Sequence, residues 1–303
     1  MAAKVAVTGA SGMIATCLIP RLEQEGFEVV KFVRSPKDAL ADPKSIAWDI
    51  EQGKIDMDKL EGTDIVIHLS GASLAQARWT HLYKQVVYNS RIHSTSLLSH
   101  ALSNLKTPPK LLLSASAVGF YGSQPAGKKI DETSLAGEGF LAKLCEHWEQ
   151  AASLSEKCGI RVVKLRLGMV LSGRGGALKK MLPIFKLGLG GPIGDGRQMI
   201  SWVTLEEIPE IALFLIQQES ISGPVNCVSP HPVSNKDFTK NLAEVLHRPA
   251  VLPVPKPMLR ILLGEMADEL LIGGVEVYPQ RLLDRGYRFR FPELKSSLEL
   301  SLI

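Results

Sequence analysis

Short runs of apolar residues recur along the first half of the chain, each followed by a stretch in which apolar positions return every three or four residues. The runs at 4–7, 27–33, 45–48, 64–69, 110–116 and 161–167 read as strands. Residues 13–26 read as a helix through Ile14, Leu18 and Leu22. A long helix is expected from Trp79 to about Leu105, and a third over 138–158. Apolar strands alternating with helices build βαβ units and a parallel sheet buried on both faces. The expected fold is therefore α/β, with a doubly wound parallel sheet.

The texture changes after Val170. Residues 171–197 are glycine-rich around an apolar helical stretch, 202–217 reads as a helix, and 225–228 as a strand able to return to the main sheet. Prolines at 224, 230, 232, 249, 253, 255 and 257 punctuate the rest. These features divide the chain into a main domain, 1–170, and a smaller substrate-side region, 171–303.

Composition narrows the classes. The 303 residues, 45% hydrophobic and 22% charged, can bury a sizeable core. The formal charge of +4 is small, and the basic stretch 281–290 is broken by Asp284 and aromatics, so no nucleic-acid partner is expected. There is no apolar run long enough to span a bilayer, which argues against a membrane role. Cys17, Cys145, Cys158 and Cys227 lack Cys-x-x-Cys spacing and metal-ligand spacing to any His, so no metal is expected. The N-terminus runs straight into a strand without a leader pattern. Scattered thiols suit a reducing compartment, and the cytoplasm is the expected location. The oligomeric state is unknown from sequence.

The first strand ends in Thr8-Gly9-Ala10-Ser11-Gly12-Met13-Ile14-Ala15, a Gly-x-x-Gly-x-x-Ala turn that opens a helix. Gly9 permits the tight turn, Gly12 lets backbone approach a diphosphate, and Ala15 lets helix and strand pack closely. The helix start, with Met13 and Ile14 in its first turn, offers free N–H groups and a favourable dipole, and Ser11 adds a hydroxyl. The bland alternative is a tight βα turn with no ligand. Position after the first strand of a βαβ unit favours a dinucleotide. After the second strand comes Val33-Arg34-Ser35-Pro36-Lys37, without the carboxylate that would hold a ribose 2′-hydroxyl. Arg34, assisted by Lys37, can instead pair with a 2′-phosphate, so the expected cofactor is NADP; a surface Arg at the strand edge is the alternative. Asp49 can meet the adenine edge or simply cap a loop. Leu69, Ser70 and Gly71 follow the fourth strand at the carboxyl end of the sheet, where such folds bind ligands. Arg91 reaches a phosphate or is a partly buried structural Arg.

Several motifs together resemble the extended short-chain dehydrogenase/reductases, in the subgroup called epimerase family proteins. They are the Gly-rich turn, 68–72 (His-Leu-Ser-Gly-Ala), Arg78-Trp79, Ser90-Arg91, 116–122 (Ser-Ala-Val-Gly-Phe-Tyr-Gly), Trp148-Glu149, 166–171, 188–196, Ser201-Trp202-Val203, 279–283 and 286–292. Members of that subgroup carry a C-terminal domain of unknown function. The resemblance implies a Rossmann core, a C-terminal substrate region and NADP contacts at Val33, Arg34, Leu69, Ser70, Arg91 and Val170.

The resemblance also raises a chemical problem. Such reductases use a Tyr and a Lys four residues later, the Lys lowering the phenol pKa, together with a Ser from the preceding strand. Tyr83, Tyr88, Tyr121, Tyr278 and Tyr287 are followed four places on by Val87, Ile92, Pro125, Leu282 and Phe291. Leu141 and Cys145 stand in the Tyr and Lys places. Ser116, Tyr121 and Cys145 are the substitute candidates, although a buried Cys is usually inert packing. His68 reads as a satisfied core residue. Asp195, Arg197 and Arg166 can bind a polar substrate under a glycine-rich loop at 188–197, which can equally be a structural Ω-loop. Two functions follow. One is an NADP-dependent oxidoreductase or epimerase acting on a small polar molecule, such as a sugar nucleotide, through a non-standard acid–base group. The other is a non-catalytic NADP-binding sensor or partner platform.

Overall fold

In a computed structural model, residues 2–34 and 36–302 are described, without the side chains of Pro36, Lys37 and Leu40. Eight strands form the main sheet: β1 (Lys4–Thr8), β2 (Glu28–Val33), β3 (Ile46–Asp49), β4 (Lys54–Ile55), β5 (Ile65–His68), β6 (Leu111–Ala117), β7 (Arg161–Leu167) and β8 (Gly223–Cys227). Their order is β8-β7-β6-β5-β1-β2-β3-β4, and every neighbouring pair is parallel except β3–β4. The fold is a Rossmann-like α/β sheet with helices on both faces.

Strand alternation sets the two cores. Val5, Val7, Ile67, Leu113, Leu165 and Val225 face α1 (Met13–Gln24) and a helix further along the chain at Glu207–Gln217. Ala6, Val30, Val66, Leu112 and Val162 face the other way, toward α2 (His81–Ser103) and α3 (Phe140–Ser153). Both sets lie at 7% exposure or less, so the strands read as near-continuous apolar runs. From β1 the chain moves outward through β2 and β3, then crosses back to β5 on the other side. The order therefore reverses between β1 and β5, and the carboxyl ends of these two strands bound the crevice where open α/β sheets take ligands.

Beyond β7 come α4 (Gly176–Lys186), α5 (Glu207–Gln217), α6 (Asn235–Leu246) and α7 (Lys256–Leu263). The helix expected over 202–217 divides in two. Trp202–Thr204 is a buried strand pairing in parallel with Met169–Leu171, and α5 starts only at Glu207. An aromatic, a β-branched valine and a threonine favour a strand once a partner strand is present. Thr204 Oγ1 then accepts the Glu207 amide at 3.2 Å, closing the turn into the helix. The helix expected over 138–158 is also shorter, ending at Ser153 and continuing as a 3-10 turn to Cys158.

The start of α3 has no cap of its own. Gly139 precedes it at φ +102°, and the carboxylate of Glu269 supplies the missing acceptors, taking the Phe140 amide at 2.6 Å and the Leu141 amide at 3.0 Å. An anion there also meets the positive end of the helix dipole. Among the described residues no helix is long and apolar enough to cross a membrane, and no cluster of side chains could hold a metal ion.

Candidate functional site

The turn between β1 and α1 is kept bare by its neighbours. Gly9 has φ +65°, and a Cβ on it would lie 2.9 Å from the carbonyl carbon and oxygen of Leu69. The loop after β5 thus presses directly on the turn after β1. Gly12 occupies the N-cap of α1, where no side chain caps the helix, and both Ser11 and Gly12 are exposed. The first-turn amides of α1 are therefore free to bind an anion. Ala15 is fully buried against the sheet, the close packing its small side chain permits. Ile14 is half-buried against the core, and Met13 packs on Gly175, whose Cβ would lie 2.7 Å from the Met13 sulfur.

The remaining cofactor candidates ring the same edge. Val33 is half-buried and Arg34 exposed at the end of β2; the Lys37 side chain lies outside the described residues. Asp49 accepts the Gln52 amide at 2.9 Å, the loop-capping alternative. Leu69 and Ser70 are half-buried beside Gly9, while Gly71 is exposed. Val170 is half-buried in the strand Met169–Leu171.

Arg91 lies beneath Gly71, where a Cβ would come within 3.1 Å of its guanidinium carbon. It is 9% exposed, donates to the Val87 carbonyl at 3.1 Å and stacks 5.1 Å from the Trp148 ring. Among the described residues no carboxylate pairs with it. Burial pulls its pKa down, as expected of a cation losing water without a counter-ion. An unpaired buried charge is costly, so this arrangement favours an incoming anion.

His68 anchors the floor. Thr95 Oγ1 donates to the Arg91 carbonyl at 2.6 Å and accepts from the Trp148 indole at 3.0 Å, so its 2.9 Å bond to His68 Nε2 requires a proton on that nitrogen. Nδ1 is then the acceptor for Thr8 Oγ1 at 2.8 Å, and Thr8 in turn accepts the Leu69 amide at 3.0 Å. The ring is fully buried and neutral, its pKa lowered to about 3 by burial. This is a satisfied core histidine, and it fixes the Thr8–Leu69 junction that Gly9 fits against.

The acid–base candidates lie further along the sheet edge, over β6 and β7. Ser116 Oγ donates to Glu149 Oε1 at 2.7 Å. Glu149 receives Arg166 through two bonds, Nε at 2.8 Å and Nη2 at 2.9 Å. Arg166 Nη1 donates at 2.8 Å to the Tyr121 hydroxyl, which donates to Asn226 Oδ1 at 2.7 Å. The Arg166 guanidinium also stacks 3.5 Å from the Phe120 ring. Ser116, Tyr121 and Arg166 are buried. Burial raises the Tyr121 phenol to about 12 despite Arg166, and the Cys145 thiol to about 12. Leu141 and Cys145 pack against the 118–121 turn, with a Cβ on Gly119 meeting the Leu141 Cβ at 3.3 Å and the Cys145 sulfur at 3.9 Å.

The structure brings Ser116 and Tyr121 into one network and leaves Cys145 beside it as packing. Arg166 is clamped by Glu149 and is not a free substrate contact. Asp195 and Arg197 are exposed, Asp195 lying 3.7 Å from Lys256 at the start of α7. The roles of Glu149, Asn226, Thr8 and Thr95 were missed. Glu149 stands in the Trp148-Glu149 pair, but nothing in its local sequence signals a partner 17 residues away on a strand.

Comparison with known proteins places this arrangement. The profile of the NAD dependent epimerase/dehydratase family matches residues 5–227, and a domain of unknown function matches 254–300. The chain is 38% identical over 296 residues to the epimerase family protein Mb2239 of Mycobacterium bovis, covering 98% of this chain and 96% of that protein. It is 33% identical over 294 residues to the epimerase family protein YfhF of Bacillus subtilis, covering 97% and 96%. Among solved structures, the human epimerase family protein SDR39U1 crystallised with NADPH superposes with a TM-score of 0.88, at 31% identity over 99% of each chain.

Proposed function

The chain belongs to the NAD dependent epimerase/dehydratase family, and from that premise we propose that it binds NADP in the crevice between β1 and β5. The observation that carries this reading is the bare Gly9–Gly12 turn, pressed against Leu69, with the buried Arg91 nearby having no carboxylate partner among the described residues. The residues fit the cofactor: uncapped α1 amides for the diphosphate, Arg34 for the 2′-phosphate, and Val33, Asp49, Leu69, Ser70, Gly71 and Val170 along its length. Human SDR39U1, crystallised with NADPH, supports the choice of NADP.

The reaction class we propose is oxidoreduction or epimerisation of a small polar carbonyl or hydroxyl compound, with 171–303 forming the substrate side. Bound NADP supplies the hydride acceptor or donor. Ser116 is the acid–base candidate with the best connections, because it can take a substrate proton while passing its own to Glu149. Tyr121 and Cys145 are weaker candidates: both hold their protons at neutral pH, and the Tyr121 hydroxyl donates to an amide oxygen rather than to a carboxylate. That same observation favours a second reading, a non-catalytic NADP-binding protein in which cofactor stabilises the fold for a partner. The test is NADPH titration by fluorescence, followed by turnover against a carbonyl panel. Turnover abolished by Ser116→Ala with NADPH affinity retained supports the enzyme. Tight NADPH binding without oxidation across the panel supports the sensor, and no binding at all removes both.

A further inference from the structure

Residues 172–176 form a turn that lies on the first turn of α1. A Cβ on Gly175 would meet the Met13 sulfur at 2.7 Å, and one on Gly176 the Met13 methyl at 3.4 Å. Arg174 stands at the head of this turn, its amide held by Ser172 Oγ at 3.2 Å. Its side chain is 82% exposed, and the charge partner within reach is Glu206, loosely, at 3.9 Å. Glu206 precedes α5, and its other carboxylate oxygen is buried without a hydrogen-bond partner among the described residues. Both charges are felt at the second turn of α1: burial raises the Cys17 thiol, Glu206 raises it further, and Arg174 pulls it down. The helix that starts at Gly176, α4, likewise has no side-chain cap. Two uncapped helix starts therefore meet at Met13, with a mobile-length cation between them and an acid behind it.

We infer that Arg174 is a movable clamp on the cofactor diphosphate, leaving Glu206 to close over the α1 amides from the side opposite Arg34. The inference rests on the proposed cofactor reading and deepens it. In the free protein Arg174 offsets a carboxylate that would otherwise repel an anion seated on α1. In the bound protein the guanidinium makes charge-assisted bonds to that anion. Arg34 and Arg174 thus divide the work: Arg34 distinguishes the two dinucleotides, and Arg174 holds what they share.

The experiment is titration of NADPH and NADH, by fluorescence and calorimetry, into wild type, Arg174→Ala, Arg174→Lys and Glu206→Gln. Arg174→Ala is expected to weaken both dinucleotides alike, by about tenfold, with Arg174→Lys intermediate. Glu206→Gln is expected to tighten both by about two- to threefold, since it frees Arg174 and removes a like charge. Thermal unfolding without cofactor should be unchanged by Arg174→Ala, whose side chain is exposed. If wild type binds and Arg174→Ala binds equally well, the clamp is overturned while the cofactor reading stands. Loss confined to NADPH would move Arg174 to the 2′-phosphate and overturn the diphosphate assignment; looser binding by Glu206→Gln would overturn the latch. Failure of wild type to bind either dinucleotide would sink the cofactor reading itself.

Discussion

At the β1–β5 crevice the first amides of α1 are uncapped, and Arg91 lies buried with no carboxylate beside it among the described residues. Over β6 and β7, on the same sheet edge, Ser116, Glu149, Arg166, Tyr121 and Asn226 answer one another's hydrogen-bonding needs. One region holds capacity open, and the other closes it. The difference separates two tasks that usually share a site. The open region is built to receive an anion. The closed region ties β6, β7 and α3 together through the Ser116–Glu149–Arg166 bonds, and the proposed acid–base role of Ser116 draws on that same carboxylate.

Removing one member of the closed network should cost most. Arg166→Ala leaves the Glu149 carboxylate buried and uncompensated, and is expected to destabilise the fold by about 3–5 kcal/mol, read from the midpoint of urea unfolding. A loss below about 1 kcal/mol would mean the network is not closed after all. In the open region, Gly9→Val places a branched side chain at φ +65° against Leu69. NADPH affinity should fall by at least about a hundredfold, measured by fluorescence titration on protein that remains folded by circular dichroism.

A pH series probes the floor that joins the two regions. His68 is neutral when folded, with its pKa lowered to about 3, and regains an ordinary value when unfolded. Between the two values the unfolded chain binds the extra proton. Its contribution to stability is therefore complete above about pH 6.5 and declines as pH falls, by up to about 1.4 kcal/mol per pH unit from this ring. His68→Gln should flatten that part of the stability–pH curve, and an unchanged slope would place the effect elsewhere.

Smaller effects sharpen the contrast. Arg34→Asp should weaken NADPH by about tenfold or more while leaving NADH within about twofold; equal losses for both would remove the 2′-phosphate role. Tyr121→Phe deletes one hydroxyl between Arg166 and Asn226. It should cost about 1–2 kcal/mol in thermal or chemical unfolding and leave NADPH affinity unchanged. Weakened binding would show that the closed network reaches the cofactor.

What could be read from the chain follows the range of each constraint. Gly9 and Gly12 are legible because turn geometry and anion binding are decided within a few residues. The alternating strands and their order of appearance are legible for the same local reason. Trp202–Thr204 was not, because an apolar segment beside a helix continues the helical pattern until a distant strand, Met169–Leu171, claims it. The pairing of Glu149 with Arg166 depends on how α3 lies over β7, which no local spacing encodes. Asp49 had two readings of similar weight, and its bond to Gln52 gives the simpler one a physical basis. Burial of Tyr121 and Cys145 was the least accessible feature, since a side chain's exposure is settled by the packing of several elements at once.

Glu269 caps α3 across a separation of 129 residues. During synthesis from the N-terminus, the segment that becomes α3 leaves the ribosome long before its acceptor is made. Its opening amides must be met by water until the last part of the chain arrives. The start of α3 is thus finished by a side chain from the C-terminal region, so one carboxylate ties that region to the half of the molecule translated first.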